Sequence, residues 1–176
     1  TSNSIEVPSE TDNIVESIVM VSIEGKSAGY VIIADELKDD AHEAIKQIRE
    51  SGISKIIMLS GDKDSITQQV DKEMGVDWAK GGLLPQDKLK EVEKLMSENI
   101  GRVAFIGDGI NDAPVLAASD VGIAMGGLGS DVAIETADVI IQTDQPSKIA
   151  KAIKIGRSTR RIVWQNIGLA FGVKIM

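Results

Sequence analysis

Short apolar runs alternate with amphipathic segments along most of the chain. The runs at 55–59, 103–106 and 121–125 are almost continuously apolar, which is typical of strands buried on both faces of a parallel sheet. The segments between them repeat apolar residues every three or four positions and predict amphipathic helices. The pattern therefore predicts an α/β fold in which helices cover both faces of a parallel sheet.

Turn and cap residues set the expected boundaries of these elements. Gly52 and Gly75 stand where a left-handed residue ends a helix, and Pro85 suits a first helical turn. The predicted helices are 39–50, 64–74, one that begins at Pro85, 112–118 and 130–135. The predicted strands are 55–59, 76–79, 103–106, 121–125 and 139–141.

The first part of the chain departs from this alternation. Residues 19–23 and 28–33, joined through 24–27, predict a β-hairpin after a polar lead-in at 1–17. We therefore expect a domain boundary near Ala34, with the tail of one module before it and an α/β domain at 34–145. The chain begins at Thr1 without a Met and stops inside an apolar run at Met176, so both ends are predicted to be cut.

Composition excludes several classes of function. The chain has no cysteine, and therefore no disulfide, thiolate metal site or cysteine nucleophile. Aromatic residues make up 3% of it, which argues against the stacking platforms that bind single-stranded nucleic acid. We expect no nucleic acid partner.

The net charge of −8 is unevenly distributed. No acidic residue follows Asp144, and the last 32 residues carry seven basic ones, so residues 1–144 hold −15 once that +7 is subtracted. Basic residues recur every third position at 148–157, followed by Trp164 within the apolar run 162–173. This order is typical of a helix that enters a membrane from the cytoplasm, although the run is shorter than the roughly 20 residues of a full span. A soluble helix with a basic face is the alternative.

Polar residues cluster in three loops at predicted strand ends. Gly107-Asp-Gly-Ile-Asn-Asp-Ala-Pro114 places two carboxylates and a carboxamide in one turn, a set that suits Mg²⁺. Ser60-Gly61-Asp62 offers a hydroxyl and backbone N–H groups to phosphate oxygens. Lys88 lies in the first turn of a helix, where it opposes the helix dipole and is better explained as a phosphate ligand. Strand ends of a parallel sheet meet at one edge, so we expect Ser60, Lys88 and Asp108 to converge.

These motifs, with Val121-Gly-Ile-Ala-Met-Gly126, resemble the phosphorylation domain of P-type ATPases, within the haloacid dehalogenase superfamily. The resemblance implies a Rossmann-like sheet, with the hairpin as the end of a nucleotide-binding domain (1–33) and 34–145 as the phosphorylation domain. Asp35-Glu-Leu-Lys38 resembles the hinge between them, although the family more often has Arg at position 38. Ser60 replaces the usual Thr and keeps the hydroxyl.

The resemblance also implies a role for each site residue. Mg²⁺ and ATP are the expected cofactors. The implied Mg²⁺ ligands are Asp108 and Asp112; the phosphoryl-binding and catalytic residues are Lys88, Ser60, Gly61, Asp62 and Asn111; Gly107 and Gly109 shape the cofactor-binding turn.

The end of the chain resembles a transmembrane helix of the zinc/cadmium/lead-transporting subgroup. Asn166 and Lys174 lie eight residues apart in the apolar helix of the expected segment 146–176. An ionisable residue inside a membrane is costly and is therefore a functional hypothesis, here in metal transport. A Lys that extends to the membrane interface is the alternative.

No Asp-Lys-Thr-Gly-Thr nucleophile motif occurs in these 176 residues. We therefore expect part of an ATP-driven heavy-metal exporter that is inactive alone and mainly cytoplasmic within a multi-pass membrane protein. Its expected partners are the remaining domains of that ATPase, the lipid membrane at 158–176 and the transported divalent cation. Two alternatives remain: a free-standing phosphatase that uses Asp35, and a catalytically inactive membrane- or partner-binding module.

Overall fold

Strands and helices alternate after an N-terminal hairpin in a computed structural model, which describes residues 17–24, 26–33, 36–98, 101–107, 110–126 and 135–175 and omits the side chains of residues 17, 33 and 110. The strands are β1 (Ser17–Ile23), β2 (Lys26–Ile33), β3 (Ile57–Leu59), β4 (Trp78–Lys80), β5 (Ala104–Gly107), β6 (Val121–Met125) and β7 (Val139–Ile141). The helices are α1 (Ala41–Glu50), α2 (Asp64–Met74), α3 (Pro85–Ser97), α4 (Ala113–Ala118) and α5 (Ser147–Ile175), and a short 3-10 turn (Ile110–Asp112) precedes α4.

The predicted hairpin is confirmed, with a tighter turn than expected. Strands β1 and β2 pair antiparallel, and Ile23 pairs with Lys26, so only residues 24 and 25 connect them. The four-residue connection predicted at 24–27 is therefore wrong. Glu24 has a φ of 50°, a left-handed conformation that two-residue hairpin turns require.

Cap residues proved the most reliable boundary signals. Helix α2 occupies its predicted range and ends at Gly75, which has a φ of 63°, and Pro85 begins α3. Helix α1 begins two residues later than predicted, and strand β4 lies nearer the C-terminus than the predicted 76–79. The helix predicted at 130–135 falls outside the described residues except for Glu135.

The described strands form two parallel sheets rather than one. Strand β3 pairs with β4, and the order β5-β6-β7 makes the second sheet. Among the described residues no strand joins β3 to β5, so each has an edge without a neighbour there. The side chain of Ile106 on β5 is 38% exposed, which is unusual for an apolar residue of a parallel sheet.

Helices cover both faces of the β5-β6-β7 sheet, as predicted. Ile123 and Met125 of β6 pack with Ile48 of α1 and with Ile149 of α5. Between them in sequence, Ala124 faces the other way and packs against Leu116 of α4. The alternation along β6 therefore separates a larger core under α1 and α5 from a smaller one under α4.

One aspartate stands directly before each of three strands and binds the neighbouring strand. Asp77, Asp120 and Asp138 accept hydrogen bonds from the backbone N–H groups of Ile56 (2.7 Å), Val103 (2.9 Å) and Gly122 (2.8 Å). These bonds join adjacent strands at their amino ends. The N–H of Val103, then the guanidinium of Arg102, hold the pKa of Asp120 below its ordinary value.

Helix α5 is 29 residues long, and most of its residues are exposed. Ile149 and Ala150 are buried, whereas every described side chain from 154 to 175 is exposed. Within the described ranges, no helix combines the length and the hydropathy that crossing a bilayer requires.

Replacing Asp120 by Asn should reduce stability most at neutral pH. The folded-state pKa lies below the unfolded value of about 3.9, so the carboxylate stabilises the fold fully above about pH 4 and loses that effect as pH falls through the folded pKa. We expect Asp120→Asn to lower the Tm by about 2–4 °C at pH 7 and to flatten its decline in acid, as measured by thermal unfolding between pH 2 and 7.

Glu93→Gln, which removes an exposed carboxylate from α3, serves as the control and should leave the Tm curve unchanged. Parallel curves for Asp120→Asn and the unaltered protein would contradict the proposed role of this carboxylate.

Candidate functional site

The Ser60-Gly61-Asp62 loop turns directly after β3 and is held by its own side chains. The hydroxyl of Ser60 donates to Oδ2 of Asp62 (2.8 Å), and the N–H of Asp62 donates to the Ser60 oxygen (3.1 Å). This pair of bonds is the local turn that Ser and Asp favour. It fixes the hydroxyl at the carboxyl end of β3, where the sequence predicted it.

A second loop, 80–83, is bonded to the first along its length. The N–H of Ser60 donates to the carbonyl of Lys80 (2.9 Å), and the N–H of Leu83 donates to the carbonyl of Ser60 (3.0 Å). The N–H of Gly82 donates to the carbonyl of Asp62 (2.6 Å). These bonds tie the Ser60 loop to the residues that lead into α3 and Lys88.

The sequence interpretation missed the two glycines of that loop. A Cβ on Gly81 would lie 2.5 Å from Oγ1 of Thr67 and 2.9 Å from the carbonyl oxygen of Asp62, and Gly82 has a φ of 67°. Both positions therefore require glycine if the two loops are to approach this closely. The signal was present, because a Gly-Gly pair before Leu-Leu-Pro marks a turn.

Lys88 and Asp112 meet across the molecule, 24 residues apart in sequence. The ammonium of Lys88 on α3 lies 2.9 Å from Oδ1 of Asp112, and the two side chains are only 16% and 11% exposed. Asp112 occupies the N-cap position of α4, yet its side chain makes no capping bond. Its carboxylate instead accepts a hydrogen bond from Lys88.

Gly107 makes room for this ion pair at the end of β5. A Cβ at this position would lie 2.9 Å from Cβ of Asp112, 3.0 Å from its Oδ2 and 3.1 Å from Cε1 of Phe105. Each distance is shorter than ordinary van der Waals contact, so a side chain here would displace Asp112. Gly107 therefore positions the carboxylate through its lack of a side chain.

Of the remaining predicted site residues, the structure describes Asn111 but not Asp108 or Gly109. Asn111 is exposed in the 3-10 turn between β5 and α4, beside Asp112. Asp108 and Gly109 lie outside the described residues, so the predicted convergence of Asp108 with Ser60 and Lys88 stays a prediction.

Asn166 and Lys174 are not part of this cluster. Both are exposed on α5, and Lys174 lies about 36 Å along the helix axis from the buried Ala150, at 1.5 Å per residue. The structure brings together Lys88 and Asp112, and separately ties the Ser60 loop to the start of α3.

The donor chemistry of the site fits Mg²⁺. Among the described residues, no three His, Cys, Asp or Glu side chains group as a metal cluster. Mg²⁺ needs fewer, because it keeps several waters and is usually held by one or two carboxylates plus substrate phosphate. Asp112 supplies one carboxylate, and Asn111, its neighbour in sequence, is exposed and carries a carboxamide oxygen.

The family profile of the haloacid dehalogenase-like hydrolases matches residues 7–120, which include the Ser60 loop, Lys88 and Asp112. The chain belongs to this family. The match confirms the resemblance that the motifs indicated, and the parallel strands with covering helices agree with it.

Proteins similar in sequence to this chain are named as metal-transporting ATPases. A zinc-transporting ATPase of Synechocystis sp. is 48% identical over 97% of this chain and 24% of its own length. A cadmium, zinc and cobalt-transporting ATPase of Bacillus subtilis is 50% identical over 96% of this chain and 24% of its own. The crystal structure of a zinc-transporting PIB-type ATPase in the E2.Pi state matches with a TM-score of 0.76 and 36% identity, covering 93% of this chain and 26% of that one. The chain thus spans about a quarter of the length of these relatives.

Gly107→Ala should destabilise the fold by about 1–3 kcal/mol, because the added methyl group must displace Asp112 or Phe105. Chemical denaturation measures this change. The matched control is Gly156→Ala on α5, where nothing lies within 4 Å of the added Cβ and where Ala should leave stability unchanged or raise it by up to about 1 kcal/mol. Equal effects of the two substitutions would show that Gly107 is not sterically required.

Lys88→Met should cost about 2 kcal/mol, because it leaves the largely buried carboxylate of Asp112 without its cation. Combined with Asp112→Asn, the loss should fall short of the sum of the two single changes by about 1 kcal/mol or more in a double-mutant cycle. The control cycle is Lys90→Met with Asp87→Asn, an exposed pair on the same helix, for which we expect coupling below about 0.5 kcal/mol. Additive effects at Lys88 and Asp112 would contradict a stabilising pair.

Proposed function

We propose that this chain is part of an ATP-driven exporter of heavy-metal cations of the zinc, cadmium and lead class. In this proposal the parent enzyme transfers the γ-phosphoryl group of ATP to an aspartate outside these 176 residues, and hydrolysis of that aspartyl phosphate drives transport. The observation that carries it is the ammonium of Lys88, held by Asp112 beside the carboxyl end of β5. The relatives named for zinc and cadmium transport supply the cargo class.

The site residues divide the work of phosphoryl transfer. Asp108 and Asp112 hold Mg²⁺, which when bound neutralises charge on the phosphoryl oxygens. Lys88 stabilises the same oxygens, while Gly61 and Asn111 donate hydrogen bonds to them. The single hydroxyl proton of Ser60 is donated to Asp62 in the structure, so Ser60 donates to a phosphoryl oxygen only after its hydroxyl rotates away, and the N–H of Asp62 holds the Ser60 oxygen in place meanwhile. Gly107 and Gly109 let the backbone turn closely around the bound group.

The nucleophile belongs to a strand that this chain does not supply. Strands β3 and β5 each have an edge that no described strand pairs with, and both are apolar but incompletely buried. A parallel strand between them would end at the same sheet edge as Lys88 and Asp112. In this proposal residues 34–145 form most of the phosphorylation domain, and residues 1–33 end the nucleotide-binding domain, whose other strands cover the exposed apolar residues of the hairpin.

Helix α5 connects this domain to the membrane. Its basic first half and exposed apolar second half, with Trp164 63% exposed, suit a helix that enters a bilayer from the cytoplasmic side at about 158–176. Asn166 and Lys174 then lie within the membrane part of the parent protein. There, the charge of Lys174 would repel a bound divalent cation and assist its release.

The two alternatives have weaker support. A free-standing phosphatase would use Asp35, which lies outside the described residues and is followed by Leu37 rather than by the second aspartate of such enzymes. An inactive binding module would not need the Lys88–Asp112 pair or the glycines that make room for it. The similar proteins named above are transporting ATPases.

Asp108→Asn in the full-length ATPase should lower metal-stimulated ATP hydrolysis by at least about a hundredfold, because one of two Mg²⁺ carboxylates is lost. Labelling with γ-phosphate-labelled ATP and release of inorganic phosphate measure phosphoenzyme level and turnover. Asp71→Asn on α2, outside the loops of the site, is the control and should keep normal activity.

Unchanged turnover in Asp108→Asn would refute the assignment of Asp108. The isolated 176-residue chain should not hydrolyse ATP, and turnover by it would contradict a nucleophile supplied from elsewhere in the parent protein.

A further inference from the structure

Asp40 caps a helix that is remote from it in sequence. It occupies the N-cap position of α1, yet it makes no side-chain capping bond there. Instead its Oδ2 accepts a hydrogen bond from the N–H of Ser147, the first residue of α5, at 2.9 Å. Hydrogen bonds from the Ser147 hydroxyl, and then from its N–H, hold the pKa of Asp40 below its ordinary value. The carboxylate is therefore charged at neutral pH and faces the positive end of the α5 dipole.

A second contact lies beside the first. The ammonium of Lys38 pairs with the carboxylate of Asp144, three residues before α5 begins. Both contacts join segment 36–40 to segment 144–147, which are more than 100 residues apart in sequence. We call this pair of contacts the hinge clamp.

The hinge clamp connects the segment that follows the hairpin to the start of α5. Segment 36–40 lies between the hairpin and α1 and is part of the covalent connection from the hairpin to the α/β domain. Helix α5 is buried only near its start, at Ile149 and Ala150, with Ile153 partly buried beside them, and its residues from 154 onward are exposed. The direction of its long free part is therefore set within its first two turns, beside the hinge clamp.

We propose that Lys38 and Asp40 are positioning residues that couple the hinge after the hairpin directly to the first turn of α5. This inference rests on the proposed function, in which the hairpin belongs to the nucleotide-binding domain and α5 leads into the membrane. The coupling does not pass through Lys88 or Asp112. Loss of the coupling should therefore leave phosphoenzyme formation in place and slow metal-stimulated turnover.

The test uses the full-length ATPase and compares Asp40→Ala with Asp40→Asn and Asp138→Ala. Asp40→Ala should lower the ratio of metal-stimulated turnover to phosphoenzyme level about fivefold, the factor that corresponds to loss of a typical N-cap. Asp40→Asn should restore it, since Asn keeps an acceptor oxygen and caps helices as well as Asp does. Lys38→Ala should act in the same direction with a smaller effect, because its ion pair is exposed.

Asp138→Ala is the matched control because its carboxylate also accepts a backbone N–H bond, from Gly122 of β6 at 2.8 Å, rather than from the first turn of α5. A loss of folded enzyme lowers turnover and phosphoenzyme together and leaves their ratio unchanged. If Asp40→Ala and Asp138→Ala give the same ratio, or if Asp40→Asn fails to rescue, the proposal is wrong.

Hydrogen exchange of the same full-length proteins tests the clamp without relying on the catalytic cycle. Asp40→Ala should speed exchange at 147–150 and at 36–38 together, and Asp138→Ala should speed it at neither segment. Faster exchange in only one of the two segments would overturn the coupling. If the unaltered enzyme forms no phosphoenzyme, the proposed function fails, and hydrogen exchange still decides whether the clamp exists.

Discussion

The ion pair between Lys88 and Asp112 is the interaction on which the candidate site depends. Lys88 follows the β3-β4 sheet through α3, and Asp112 follows β5 of the other sheet, so the pair joins the carboxyl ends of two sheets that no described strand connects. Each charge is mostly removed from water and would be costly without the other. The geometry of the site is therefore part of the stability of the fold, and Gly107 serves both by leaving room for the carboxylate.

Carboxylates have different partners at the two edges of the sheets. At the amino edges, Asp77, Asp120 and Asp138 accept backbone N–H bonds and join neighbouring strands. At the carboxyl edge, Asp112 makes no capping bond to α4, and its carboxylate contacts the ammonium of Lys88. Asp40 likewise makes no capping bond at the start of α1, and it accepts the N–H of Ser147 at the start of α5 instead.

Helix caps and apolar runs in the sequence predicted most of the strands and helices. They did not predict contacts between segments that are distant in sequence. Gly75 and Pro85 ended and began helices where expected, and β6 and β7 lie at their predicted positions because continuous apolar runs have few alternatives. The candidate residues Lys88 and Asp112 were chosen from motifs, but their direct pairing was not predicted. The sequence around one of them contains nothing that identifies the other as its partner. Gly81, Gly82 and the hinge clamp were missed for the same reason: close approach of backbones and pairs 100 residues apart leave no periodic pattern in one sequence.

The described strands form two parallel sheets, and in the proposed enzyme the Lys88–Asp112 ion pair lies at the opening between them. Parallel strands present their carboxyl ends at one edge, so a strand that filled the opening between β3 and β5 would end beside the Ser60 loop and Asp112. A nucleophilic aspartate at that end would add a negative charge to a site that holds Asp112 and, as the sequence predicts, Asp108. Lys88 offsets one of these charges, and Mg²⁺ bound by the carboxylates offsets more. In the proposed enzyme a cation beside Lys88 would therefore be needed before a phosphoryl group could approach, and Asp112 with the predicted ligand Asp108 would hold it.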